Sequence, residues 1–205
     1  YIDLIDALRK PRGSKDIRLQ SRDQLVVFNL AESRERTVSD IVNDLDVQAT
    51  DYRPASVVAI RGAVRYSGRL PLQEGARLLD VITLAGGLKN GADTYYGVIA
   101  RTSFPSRDID ILDFSIAAAV TNPATESNPV IAPGDRLYIF DDMGNRSELL
   151  APELDRLRDQ ASYGADERLV TVLGEVLRPG IYPLAGGMRA SDLLCAARGL
   201  TRKAY

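Results

Sequence analysis

A shift of 112 positions lays this chain on itself. It carries Gly62 onto Gly174, Val64 onto Val176, Gly68 onto Gly180, Pro71 onto Pro183 and Leu72 onto Leu184. The match runs on through Gly75/Gly187, Arg77/Arg189, Asp80/Asp192, Ala85/Ala197, Gly87/Gly199 and Leu88/Leu200 without a gap. Earlier in the chain the same shift aligns LQSRDQLVVF (19–28) with IAPGDRLYIF (131–140), and Leu45, Gln48 and Ala49 with Leu157, Gln160 and Ala161. A long repeat of this kind makes each copy one structural unit. The 205 residues hold a little less than two periods, entering in the second half of one unit and leaving in the first half of another.

Within a unit the apolar pattern changes period in a fixed order. SVVAIRGAV and RLVTVLGEV alternate like strands, and each leads through a glycine turn (RYSGRLPL, LRPGIYPL) into a second short strand, a hairpin. A helix is predicted from about Gly75 to Leu84, with Leu78, Ile82 and Ala85 on one side. Arg77 with Asp80 and Arg189 with Asp192, each three apart, suit solvated ion pairs. YYGVIAR (95–101) reads as a strand; DIDILDFSIAAAV as a short strand passing into a helix with Leu112, Ile116 and Ala119 inward; and Arg136 to Phe140 as a closing strand after the Pro133-Gly134-Asp135 turn. The economical architecture is α+β, a small mixed sheet curled around one helix, the β-grasp. Two connectors differ in kind: Val38, Ile41, Val42 and Leu45, then Leu150, Leu154 and Leu157, form apolar stripes on helices of about four turns. Each stripe must be covered, by the adjacent domain or by a neighbouring copy.

The glycine-rich segment GRLPLQEGARLLDVITLAGGL (68–88) superficially suggests a phosphate cradle. Its Gly86-Gly87 pair, however, follows the helix, where glycine forms a left-handed cap, whereas anions gather at the opposite pole.

The chain has no histidine, which removes the commonest general base and metal ligand. Net charge is −2, with acidic and basic residues interspersed, unlike the concentrated basic field of a nucleic-acid binder. No apolar run approaches the roughly 20 residues of a membrane-spanning helix. Cys195, the single cysteine, falls among apolar residues at helical spacing and is expected in a core. Asp108, Asp110 and Asp113, and the pair Asp141-Asp142, are expected to be solvated at loops and strand edges; paired carboxylates hydrolyse glycosides only at a fixed separation across a cleft. No enzyme, metal site or cofactor is predicted.

VLGEVLRPGIYPLAGGMRASDLLCAARGLTRKAY resembles the opening half of an SLBB domain, the soluble-ligand-binding β-grasp module, and AIRGAVRYSGRLPLQEGARLLDVITLAGGLKNGAD resembles a second copy. VIAPGDRLYIF and LQSRDQLVVF look like the module's closing strand, although the latter has Ser21-Arg22 where Pro-Gly is usual, and Arg198 stands where the other copy has Gly86. The resemblance implies tandem β-grasp (SLBB) modules joined by amphipathic helical connectors. Residues 1–30 would be the C-terminal part of one unit, 31–56 a connector, 57–142 a complete domain, 143–168 a connector and 169–205 the N-terminal part of a further unit. Such tandems resemble Wza-like polysaccharide export proteins of Gram-negative bacteria. That implies a periplasmic, outer-membrane-associated homo-oligomer exporting capsular or exopolysaccharide with partner proteins of the export machine.

Two functional classes follow: a structural, oligomerising module of the export conduit, or a module that holds soluble glycan directly. Tyr66, Arg69, Tyr95, Tyr96 and Arg101 are the candidate contact residues, because tyrosine stacks on sugar rings and arginine grips carboxylates and phosphates. The same residue types also centre protein–protein contacts. They would share an edge if the hairpin neighbours the third strand. The partial units 1–28 and 169–205 are expected to complement one another, most simply between molecules.

Overall fold

A computed structural model describes residues 8–13, 16, 18–19, 34–50, 54–104, 106–163 and 166–204. The chain divides into two compact units, 1–37 and 38–205. In the first, a tight turn is closed by the Gly13 N–H donating to Lys10 O at 3.0 Å, and Asp16 accepts from the Arg12 N–H at 2.7 Å. The expected closing strand Leu19–Phe28 lies outside the described residues apart from Leu19.

From Arg34 onward the chain follows the predicted element order, with α1 (Arg34–Val47), most of which belongs to the second unit, β1 (Val57–Gly62), β2 (Gly68–Pro71), α2 (Leu78–Leu84), β3 (Ala92–Thr102), β4 (Ile109–Phe114), α3 (Ile116–Thr121) and β5 (Arg136–Asp141). The connector helix α4 (Arg146–Ser162) leads to β6 (Leu169–Val172), β7 (Gly180–Pro183) and α5 (Ala190–Ala196). The first five strands form one mixed sheet in the order β2-β1-β5-β3-β4, with β1 and β5 parallel and the other pairs antiparallel. β6 and β7 repeat the β1–β2 hairpin, Val172 opposite Gly180 as Ile60 is opposite Gly68.

Alternation along the strands divides the core in two. Ile60, Ile99, Leu137 and Ile139 point to the face covered by α2 and α3, with Leu78, Val81 and Ile116 buried there beside Val38 and Val42 of α1. Tyr96, Val98, Ala100, Ile109, Ile111, Tyr138 and Phe140 point to the opposite face. That face is covered by Leu150, Leu154 and Leu157 of α4 and by Tyr182, Ala196 and Ala197 of the second hairpin and helix. A sheet buried on both faces explains why β3 and β5 read as nearly continuous apolar runs. The connector stripe is therefore covered by its own chain.

The helix-end glycines behave as caps: Gly86 and Gly87 have φ of 79° and 87°, and the Gly87 N–H donates to Ile82 O at 2.9 Å. Two expectations change, one at this helix and one on β4. Asp80 accepts the backbone N–H of its N-cap Arg77 at 2.8 Å, as Asp192 does from Arg189, so these acids close helix starts; the Arg77 guanidinium reaches Asn128 O at 2.7 Å. On β4, Leu112 faces outward at 39% exposure while Ile109 and Ile111 face in, since strand period 2 places neighbours on opposite faces.

Candidate functional site

The richest polar chemistry lies along the seam where the second copy meets the first. β3 slips register between Ala92 and Gly97, a bulge that re-aims its side chains. Asp93 accepts the Tyr95 N–H at 2.8 Å; Tyr95 swings outward at 71% exposure and Tyr96 inward at 3%. The Tyr96 ring stacks on Phe140 at 5.5 Å between centroids and meets Tyr182 edge-on at 6.5 Å. Burial pushes the Tyr96 hydroxyl's pKa well up.

Arg146, at the start of α4, is buried in this aromatic nest, its guanidinium 5.0 Å from the Phe140 centroid and 5.5 Å from that of Tyr96. It pairs with the equally buried Asp93 and donates to Ala196 O at the end of α5, so one cation ties β3, α4 and the second copy together. Two further arginines of the second copy close on one acid of the first: Arg198 pairs with the Asp142 carboxylate and Arg178 donates to its carbonyl. Arg168 reaches Asp110 on β4.

Farther along α4, Glu153 accepts from Arg136 at 2.6 and 2.8 Å and from the Tyr138 hydroxyl at 2.6 Å. Burial raises the carboxyl's pKa, but the Arg136 and Tyr138 hydrogen bonds and the charges of Arg136 and Arg156 outweigh it, leaving the value below the ordinary range. Gln160 then holds the backbone of edge strand β4, accepting from the Ile109 N–H at 2.7 Å and donating to its carbonyl at 3.3 Å.

Three clefts lined by described residues open along the seam. One of 310 Å³ lies between the Met143–Ser147 turn and the β6–β7 hairpin, with Arg146, Arg178 and Tyr182 in its walls. Another of 370 Å³ is lined by Arg101, Asp110, Asp113 and Arg168, and a third of 310 Å³ by Tyr95, Leu194, Cys195 and Arg198.

The five candidate contact residues are not brought together, because β5 is interposed between β1 and β3 and separates the hairpin from the third strand. Tyr66 is 45% exposed, and its ring lies over Gly86 so closely that an added Cβ would come within 2.5 Å of it. Arg69 makes a two-pronged pair with Asp46 of α1, both contacts 2.6 Å. Tyr96 is a core residue, placed there by the bulge, and cannot touch a ligand from its present position. Arg101 clamps the Asp135 carboxylate of the turn before β5 at 2.7–3.3 Å and Val130 O at 3.0 Å, and still reaches the second cleft. Only Tyr95 stands free in a cleft wall.

Cys195 is exposed rather than buried, since Ala196 and Ala197 take the inward positions of α5. Asp110, Asp141 and Asp142 hold Arg168, the Met143 and Gly144 N–H groups and Arg198 respectively, so they serve as turn and seam fasteners. Arg146, Arg178 and Arg198 were missed as seam residues; for two of them the signal was a departure from the first copy, Arg178 and Arg198 standing where it has Tyr66 and Gly86, whereas Arg146 keeps its counterpart in Arg34. Among the described residues no group of three potential metal ligands converges, and no helix is long and apolar enough to cross a membrane.

No curated protein matches the chain. The family model of the SLBB domain matches it twice, over residues 57–101 and 169–205. Both segments take in the hairpin and helix of a copy, the first running on through most of β3, and the chain is an SLBB-domain protein, built on an α+β, β-grasp-like plan.

Proposed function

We propose that this chain is a periplasmic structural and oligomerisation module of a capsule or exopolysaccharide export protein, similar to the Wza-like exporters and without catalytic activity. In this reading 57–142 is a complete SLBB domain flanked by connectors at 31–56 and 143–168 and by partial units at 1–30 and 169–205. The observation that carries it is the burial of connector α4 and the second copy against the free face of the first domain's sheet. Arg168 with Asp110, Arg198 with Asp142, and Arg146 between Asp93 and Ala196 O fasten the later segment to the first domain, which suits a scaffold of stacked modules. Sedimentation velocity across micromolar concentrations tests it. A discrete large oligomer supports the conduit; a monomer that binds oligosaccharide saturably replaces it with the second reading, a soluble glycan-binding module. That second reading draws on the exposed Tyr95 and on the arginine-lined seam clefts.

A further inference from the structure

The cleft between the Met143–Ser147 turn and the second hairpin has a chemistry unlike the other two. No carboxylate is among its described lining residues. The nearby acids are engaged elsewhere: Asp141 with the N–H groups of its own turn, Asp142 with Arg198 and Asp93 with Arg146. Arg178, by contrast, forms no ion pair among the described residues; it donates to a neutral carbonyl, and its Nε–H is buried without an acceptor. Arg146, 3% exposed, also lines the cleft with a buried Nε–H that has no partner. Such orphaned donors are rare in native proteins and call for an acceptor.

The same cleft receives the N-terminus of the 17-residue helix α4. Asn145 caps the Glu148 N–H at 3.3 Å, while the first-turn N–H groups of Arg146 and Ser147 have no acceptor within the helix. A helix start of this kind carries partial positive charge and favours an anion. The Ser147 hydroxyl sits beside Gly180, where an added Cβ would come within 2.8 Å of it, so the hairpin opening is shaped around that group. The preceding repeat supplies an internal contrast. One period earlier in the sequence, Glu35 aligns with Ser147 and Tyr66 with Arg178, while Arg34 aligns with Arg146.

We propose that this cleft binds an anionic group, a carboxylate or phosphate, carried on a polysaccharide. Arg178 supplies the charge and the α4 N-terminus with Ser147 supplies the orienting donors. The assignment rests on the reading that this module meets the polymer.

The test is an NMR titration of the whole chain at constant ionic strength, following the Ser147 amide and the Arg146 and Arg178 Nε–H signals. The probes are oligogalacturonate, a sugar phosphate, inorganic phosphate and neutral maltohexaose. Oligogalacturonate or the sugar phosphate should move these signals saturably and maltohexaose should not, and whichever acts identifies the anion as carboxylate or phosphate. Arg178→Ala and Ser147→Glu should each weaken binding about tenfold or more. Ser147→Glu leaves the Arg178 contact to Asp142 in place, so the test survives if Arg178→Ala fails to fold. Silence from every anion overturns the site, even where maltohexaose perturbs other residues and keeps the polymer-contact reading alive. A response to inorganic phosphate alone overturns the polysaccharide assignment and the polymer contact at this cleft.

Discussion

At the residue scale, Glu153 shows how a buried acid can be held charged. Its carboxylate accepts from Arg136 and Tyr138 and has Arg156 3.6 Å away. With its folded pKa below the unfolded one, it contributes stability that is complete above the ordinary carboxylate range, near about 4.3, and lost as pH falls through the lowered folded value. Urea midpoints measured from pH 7 down to 3 should therefore fall in acid, and Glu153→Gln should flatten that fall. Glu153→Ala, which strands Arg136 and the Tyr138 hydroxyl, should cost about 3 kcal/mol at pH 7 in the same assay. Tyr96 makes the opposite case. Its hydroxyl is buried with no partner, so Tyr96→Phe should raise stability by about 1 kcal/mol. A loss of stability would show that the hydroxyl has an acceptor after all.

The elements were legible where a pattern depends only on neighbours in sequence. The hairpins, the Gly86-Gly87 cap and the connector stripes all follow from local periodicity and turn chemistry. Leu112 was misplaced because a helical spacing was carried back into a strand, and Tyr96 because a bulge is set by the partner strand β5, which the local sequence does not display. The seam clefts were hidden for a related reason: they join segments far apart in sequence, 143–147 to 177–182 in the first of them, and only folding makes such segments neighbours. The paired exchange of Tyr66 and Gly86 for Arg178 and Arg198 was visible, but its meaning needed Asp142 alongside. At this scale α4 is the critical element. Leu154→Ala, at a site 3% exposed, should cost about 2–5 kcal/mol in chemical denaturation. It should also raise hydrogen exchange in β6 and β7, which α4 supports.

For unit 38–205 as a whole, the second copy has no core of its own. Val172, Tyr182 and Ala196 belong to the same apolar cluster as Val98 and Tyr138 of the first sheet. Shared burial of this kind makes folding of the two copies one event. Amides of Val170 and Val172 should therefore open by hydrogen exchange with the same free energy as those of Val98 and Tyr138, within about 1 kcal/mol. A much lower value in the second copy would mean that it docks as a separate, weaker body.

The connector helix has a further consequence for how such a chain can evolve. Glu153 and Gln160 key one side of α4 to strands of the first copy, while its apolar residues share a core with Tyr182 of the second. One inserted residue would turn everything downstream by about 100° and advance it by about 1.5 Å, breaking one set of contacts to keep the other. The helix thus acts as a gauge block between modules. Surface identities along it can drift freely while its length cannot, which is why two copies that have diverged so far still align without a gap.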